Sequence, residues 1–364
     1  MGKNVLLVAP PFTPVSKDSV AGIEQVTYTL GKFLTDAGHN VYTVGREDSK
    51  VYGTLLPGGF ADLAAFPNAD LERFHQAMSY NQHVVRKALK DKPIDVIIDR
   101  CEGDSLVTSV EENGPRVIAG LDMEPKYYIH PKIFEALRPE LRERDDCYAA
   151  VADHIADRYV KDLLGSELAD RMNTVYNGII TDNFPMQKEK GDKLLYLGRI
   201  VEGKAPHLAI AAANDTGHDI VVAGGSAPGG NSDGQYENSE FFNAKVKPLL
   251  RSGVEWFGPA NLEQKVGLMQ NAKAVIFPSQ HVEAQPLVIL EAMACGTPVI
   301  ASNHSGAKEE IIEGKTGFLV NNEEELREAI GRVSELSPEK IAEHARENFD
   351  YSVMGQGYLR LIEE

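Results

Sequence analysis

Residues 281–302 read HVEAQPLVILEAMACGTPVIAS. Leu287 to Ala294 are good helix formers or packing residues, Pro286 suits the first helical position, and Gly296 followed by Pro298 closes the helix. Val299–Ala301 then starts a strand. This reading puts Glu283 in the loop before the helix and Glu291 inside it, roughly one to two turns on. Between them lies a helix N-terminus, whose backbone amides and partial positive charge favour an anion such as phosphate. Taken alone, a glutamate near a helix start also reads as a cap or dipole partner, and the helix as plain core.

The same strand–helix alternation runs outward in both directions. Short apolar runs fall at Val5–Ala9, Val41–Val44, Val96–Ile98, Val117–Ala119 and Tyr148–Val151. A second series follows at Leu194–Leu197, Ile220–Val222, Val254–Phe257, Ala274–Phe277 and Val299–Ala301. Amphipathic stretches such as Gln25–Ala37, Glu72–Leu89 and Glu263–Asn271 separate them. Alternation of this kind predicts an α/β protein with parallel sheets covered on both faces. Two series predict two sheets, with the break in IITDNFPMQKEKGDK, residues 179–193, a polar stretch without apolar periodicity. The glycine-rich run GGSAPGGNSDG, residues 224–234, reads as a loop following a strand.

Composition sets the outer limits. A chain of 364 residues fits two domains of ordinary size, and 43% hydrophobic with 25% charged residues is an ordinary globular balance. The formal net charge of −17 disfavours nonspecific attraction to nucleic acid or to an anionic membrane. The apolar run near the N-terminus is too short to span a bilayer. Cys101, Cys147 and Cys295 form neither a disulfide framework nor a zinc pattern, which suits a reducing cytoplasm. HVVRKALKDK, residues 83–92, carries a modest positive cluster and reads as a solvated helix end, so membrane contact is expected to be at most transient.

The pair Glu283 and Glu291 followed by AMACGTPVIAS resembles the E-x7-E signature of the retaining GT-B glycosyltransferase family 4, the glycosyl transferases group 1. SGAKEEIIEGKTGFLV at 305–320 is similar to that family's glycine-pair, glutamate and "GxTGxLV" ending. LGRIVEGK at 197–204 resembles its GR-x4-K element, and AVIFPS at 274–279 and VYNGI at 175–179 match typical strings. The resemblance implies a GT-B fold, two Rossmann-like domains facing each other across a cleft. It assigns residues 1–180 with a C-terminal crossover at 351–364 to the acceptor side, and 181–350 to a nucleotide-sugar donor. The crossover would act as a second hinge strand as the cleft closes.

The activity implied is transfer of a sugar from a nucleotide diphosphate, UDP favoured and GDP the alternative, to a hydroxyl acceptor with retention of configuration. Arg199 and Lys204 would neutralise the diphosphate as the leaving group gains charge. The amides of Leu287 and Val288 would meet phosphate, Glu291 the ribose hydroxyls, and Glu283 the sugar hydroxyls near the reacting carbon. Ala284, Gln285 and Pro286 stand where relatives carry Gly-Phe-Gly or Pro-Phe-Gly, so donor choice is expected to depart there. Neither a cofactor nor a metal is expected, since no two aspartates stand two residues apart as in a D-x-D metal motif.

The N-terminal half carries fewer such residues. Gly22 stands near the start of a helix, in a segment similar to the family's glycine-rich loop. A glycine there lets backbone approach a phosphate or sugar. Asp122 falls near the place where many relatives carry a histidine, and would orient the acceptor hydroxyl or stabilise positive charge at the anomeric carbon. Its plainer reading is a turn or cap residue. Asp99, Arg100 and Glu102 stand where relatives often place histidines; Arg100 reads either as a partner for an acidic acceptor or as paired with a neighbouring carboxylate, the pairing being favoured. Two other readings compete: a catalytically silent nucleotide-sugar-binding module, and a nicotinamide-dependent oxidoreductase. Against the second, no G-x-G-x-x-G follows the first strand.

Overall fold

A computed structural model describes residues 2–19, 21–61, 71–101, 114–122, 139–141, 143–165, 168–225, 239–304 and 306–364. The backbone divides into two compact units. Unit 1 holds residues Met1–Gly178 and Tyr351–Glu364, and unit 2 holds Ile179–Asp350.

Unit 1 contains the strands β1 (Asn4–Val8), β2 (Asn40–Arg46), β3 (Thr54–Gly59), β4 (Val96–Asp99), β5 (Arg116–Leu121), β6 (Cys147–Ala150) and β7 (Met172–Thr174). They form one sheet in the order β3-β2-β1-β4-β5-β6-β7, every pair parallel. Helices α1 (Gly22–Asp36), α2 (Leu71–Asp91) and α3 (Asp153–Tyr159) belong to this unit. Unit 2 contains β8 (Leu194–Leu197), β9 (Ile220–Ala223), β10 (Val254–Gly258), β11 (Ala274–Phe277), β12 (Val299–Ser302) and β13 (Gly317–Val320). These run in the order β10-β9-β8-β11-β12-β13, again all parallel. Its helices are α4 (Pro206–Asp215), α5 (Leu262–Asn271), α6 (Leu287–Ala294), the single turn α7 (Ala307–Glu310), α8 (Glu323–Arg332) and α9 (Pro338–Phe349). The last helix, α10 (Tyr351–Glu363), returns to unit 1.

Burial explains why the central strands were legible as apolar runs. Val5–Val8, Val96–Asp99, Ile220–Ala223, Ala274–Phe277 and Val299–Ser302 are buried along their whole length. Covering both faces removes the polar half of the usual alternation. Edge strands lose that signature. β10 alternates half-buried with exposed residues, and β3 carries Pro57 and two glycines, tolerable where one side of the ladder is unpaired. β3 and the three-residue β7 were absent from the expected strands for this reason. β13 was expected only as a family string, its GFLV too short to declare a period.

Pro286 corrects one expectation. It is the N-cap, with ψ 106°, and the helix starts at Leu287. The ring fixes only φ, and this residue spends its ψ on turning the chain into the helix. Among the described residues no helix is long and apolar enough to cross a membrane. The glycine-rich stretch from residue 226 onward, and Glu102, lie outside the described residues.

The ends of each unit are tied down within it. In unit 2 the Ile179 amide donates to the Phe349 carbonyl at 2.9 Å, and the Thr181 hydroxyl to Asp350 Oδ2 at 2.6 Å. In unit 1, α10 lies along α1 with Gly355 against the Phe33 ring, so close that a Cβ would collide with it. Lys3 donates to the Ile362 carbonyl, and Arg116 to the Leu361 carbonyl at 2.6 Å, placing two cations at the C-terminal end of α10. Gly355→Leu should therefore overpack this contact and cost about 1–3 kcal/mol. Thermal unfolding of the full chain checks it, through a lowered Tm for the transition of unit 1.

Candidate functional site

In an open parallel sheet, a crevice forms at the carboxyl ends of the strands where strand order reverses. Unit 2 reverses between β8 and β11, and unit 1 between β1 and β4. The loops leaving β8 and β11 carry most of the residues expected to meet a nucleotide diphosphate.

After β8 the chain passes Gly198 and Arg199, makes a 3-10 turn at Glu202–Lys204, and enters α4 through Ala205. After β11 it passes Ser279 and Glu283 and enters α6. The two loops are joined by backbone. The Gly203 carbonyl accepts from the amides of Gln280 at 2.7 Å and His281 at 3.2 Å. Beneath them the buried Tyr196 donates its hydroxyl to the Arg199 carbonyl at 2.7 Å. Burial, with the charge of Glu283 nearby, pushes this phenol well above its ordinary pKa, so it acts as a neutral donor.

The loops bring Lys204 and Glu283 together. Lys204 Nζ lies 2.5 Å from Glu283 Oε1, and the Ser279 hydroxyl donates to the same oxygen at 2.7 Å. Both charged side chains keep a little exposure, 18% and 17%, so the pair is partly desolvated yet reachable from solvent. The Phe277 ring lies 5.6 Å from the ammonium, and the Glu283 carbonyl is held at 2.8 Å by the Gly306 amide. Arg199, by contrast, is exposed and makes no ion pair among the described residues.

Glu291 is buried on α6 and pairs with Lys265 of α5 at 2.5 Å. Lys265 Nζ also sits 5.5 Å from the centre of the Phe184 ring. The first helical residues, Leu287 and Val288, are half-buried at the start of α6, and their amides precede any intrahelical acceptor. Ala284 is half-buried, and Gln285 and Pro286 are buried between the pair and the helix. At the other end of α6, Lys190 Nζ donates to the Cys295 carbonyl at 2.8 Å and to Thr297 at 2.9 Å. Lys190 thus stands at the carbonyl end of the helix, and the segment that carries Glu283 leads into its amide end.

Lys265, Ser279 and Tyr196 were not singled out from sequence, because nothing local marks them. Glu310 is a further buried carboxyl, on α7, with neither oxygen hydrogen-bonded. Burial and the nearby carboxylates Glu309 and Glu283 hold it well above the usual carboxylate range, which favours its protonated form.

In unit 1, Gly22 opens α1 and Asp122 follows β5, which puts both near the reversal between β1 and β4. Asp122 is ion-paired with Arg100 at 2.5 Å, the pairing expected for Arg100. Glu24, in the first turn of α1, is also buried. Burial pushes its carboxyl up to about 7; its own backbone amide opposes this, Asp122 adds to it and Arg46 opposes it. Among the described residues no group of three or more His, Cys, Asp or Glu side chains converges as a metal site would.

Two predictions follow from this geometry. Ala205 is the one non-glycine residue with positive φ among those described, at 51°, immediately after Lys204. Ala205→Gly should relieve about 1 kcal/mol of this strain, seen as a raised urea midpoint at unchanged slope. For Glu24 the folded-state pKa lies above its unfolded value of 4.5. The folded protein therefore keeps a proton the unfolded chain has lost, and stability is forfeited as pH climbs from about 4.5 through 7. Glu24→Gln should match the wild type at pH 4.5 and exceed it at pH 8 by an amount approaching about 3 kcal/mol. Parallel denaturation series at the two pH values check it.

Residues 181–349 match the family described as Glycosyl transferases group 1. A glycogen synthase of Mycobacterium tuberculosis is 31% identical over 189 residues, 49% of this chain and 42% of that protein, so the chain spans under half of that relative. Spore coat protein SA of Bacillus subtilis is 22% identical over 341 residues, 83% of this chain and 85% of its own length. Among solved structures, Anabaena HepE in complex with UDP-glucose superposes with a TM-score of 0.74 over 99% of both chains at 16% identity.

Proposed function

We infer, from a second unit that is a glycosyl transferases group 1 domain in a chain of GT-B fold, that this protein transfers a sugar from a nucleotide diphosphate to a hydroxyl acceptor. The observation that carries the reading is the Lys204–Glu283–Ser279 cluster, whose Ser279 and Glu283 lie on the segment that leads into the amide end of α6. A diphosphate sugar needs cations and amides for its phosphates and carboxylates for its hydroxyls, side by side, and this cluster supplies both.

In this reading Lys204 and Arg199 take the phosphate charge, joined by the amides of Leu287 and Val288. Glu283, released from Lys204 as the ammonium turns to phosphate, accepts from the sugar hydroxyls with Ser279 still holding one oxygen. Glu291, oriented by Lys265, accepts from the ribose hydroxyls. Ala284, Gln285 and Pro286 shape the pocket for the sugar. UDP-sugars are favoured over GDP-sugars because the similar HepE structure holds UDP-glucose.

The reaction proposed retains configuration and uses no resident metal. The bond from the anomeric carbon to the diphosphate oxygen breaks as the acceptor oxygen bonds to the same face. The acceptor proton passes to the departing phosphate oxygen. Lys204 and Arg199 stabilise the charge that accumulates there, the task a D-x-D-bound metal performs elsewhere, and this chain has no D-x-D pair. In unit 1, Gly22 leaves room for substrate at the start of α1, and Asp122 orients the acceptor hydroxyl.

A thermal-shift screen with UDP- and GDP-sugars tests the reading. At a hundred times its Kd a true donor should add about 2.7 kcal/mol to the stability of unit 2, a rise of several degrees. Lys204→Ala and Glu283→Gln should abolish turnover, Lys204→Ala also losing the response to free UDP. No response to any nucleotide diphosphate or nucleotide sugar would sink the proposal. Binding without turnover over a broad acceptor panel would instead mark a silent nucleotide-sugar-binding module.

A further inference from the structure

The guanidinium of Arg100 is among the largest fully buried groups of the chain, 1% exposed. It is held where β4 ends, and it fits because residue 120 on neighbouring β5 is glycine. A Cβ there would lie 2.8 Å from Arg100 Cδ and 2.9 Å from the Asp99 carbonyl. Three side chains surround the guanidinium. Nη1 donates to the Tyr358 hydroxyl at 2.7 Å, and Nη2 donates to Asp122 at 2.5 Å and to Asn177 Oδ1 at 3.1 Å.

The chain positions of those partners are not arbitrary. Asn177 is one residue before Gly178, where the chain leaves unit 1. Tyr358 lies on α10, about two turns after the chain re-enters at Tyr351. The departing and returning segments also touch directly, the Gly178 amide reaching Met354 Sδ at 3.2 Å. One rigid planar group is therefore bonded to both segments that join unit 1 to unit 2, and to the carboxylate beside the unit 1 crevice. A buried Arg fork fixes its partners in angle as well as distance, which a lysine could not do.

We propose that Arg100 is a positioning residue that holds the Asp122 carboxylate in register with the two segments by which the chain leaves and re-enters unit 1. Any displacement of Asn177 or Tyr358 moves the guanidinium, and with it the acceptor-side carboxylate. The Asp122 role rests on the function proposed above, but its mechanical link to the crossovers does not. Among the described residues the ionisable groups around Asp122 are Arg100, just after β4, Glu24 from α1 and Tyr358 from α10. Burial drives the Asp122 carboxyl upward and Arg100 opposes it, so its titration reports the tightness of the pair.

Tyr358→Phe keeps the ring and deletes one hydrogen bond, and Arg100→Lys keeps the charge and deletes the fork. Full-length variants are compared by UDP affinity in calorimetry, UDP release from UDP-glucose, Tm, and the Asp122 carboxyl titration followed by ¹³C NMR. Both variants should bind UDP as the wild type does, since unit 2 is untouched. Both should release UDP about tenfold more slowly, the size of one charge-assisted hydrogen bond. The Asp122 midpoint should move up. Tyr358→Phe combined with Asp122→Asn should be no slower than Asp122→Asn alone, because both act through one carboxylate.

A lowered Tm with unchanged turnover and an unchanged Asp122 titration would reduce Arg100 to a structural tie and overturn the proposal. Additive losses in the double variant would do the same. Should the wild type neither bind UDP nor release it, the proposed function falls. The Asp122 titration in Tyr358→Phe then still decides the link to the crossovers.

Discussion

A parallel sheet buried on both faces can carry charge only at the ends of its strands. That constraint organises both units. Their central strands are apolar up to their carboxyl ends, where Asp99 closes β4, because a charge further in would lose its hydration without a partner. Polar chemistry is left to the loops, and reversal of strand order parts adjacent loops into a crevice. In unit 2 the reversal falls between β8 and β11, which is why Lys204 and Glu283, remote in sequence, meet at 2.5 Å. In unit 1 it falls between β1 and β4, where α1, Arg100 and Asp122 gather.

The two crevices handle charge differently. The unit 2 cluster is partly exposed and poised to exchange partners: an ammonium and a carboxylate that neutralise each other can each be drawn to a ligand. Glu291 with Lys265 is more enclosed, and exchange there would leave a buried charge unpaired, which is costly. Such a pair suits a fixed recognition element. The Arg100 group in unit 1 is enclosed further still, Nη1 and Nη2 bonded by the chain itself and the buried Nε left without a hydrogen bond among the described residues. It can transmit position, but it has little freedom to seek a ligand of its own.

Two buried carboxyls are held above the usual carboxylate range. Glu310 is buried without a hydrogen bond to either oxygen, and Glu24 is pushed up to about 7 by burial. Each stands near a carboxylate assigned to the site, Glu283 or Asp122. Their raised pKa favours the protonated form, which lessens repulsion of the first carboxylate. The acidic balance of the chain, −17 overall, is thus not carried fully into its crevices.

What the sequence determined by itself was whatever leaves a local trace. Continuous apolar runs marked the doubly covered strands, and the span from Pro286 to Pro298 marked α6 and placed Glu283 before it. Strands at the sheet edges left no such trace, as the Pro57-containing β3 and the three-residue β7 illustrate. Partnership was legible only in kind: a carboxylate was expected beside Arg100, but nothing local named Asp122. Lys265 is an ordinary helix lysine until folding brings it to Glu291, 26 residues away. Tyr358 lies 258 residues from Arg100, yet bonds to it. Only the tertiary structure decided those meetings. Hydrophobic period is written within a few neighbouring residues, whereas an ion pair is set by strand order and the packing of helices remote in the chain.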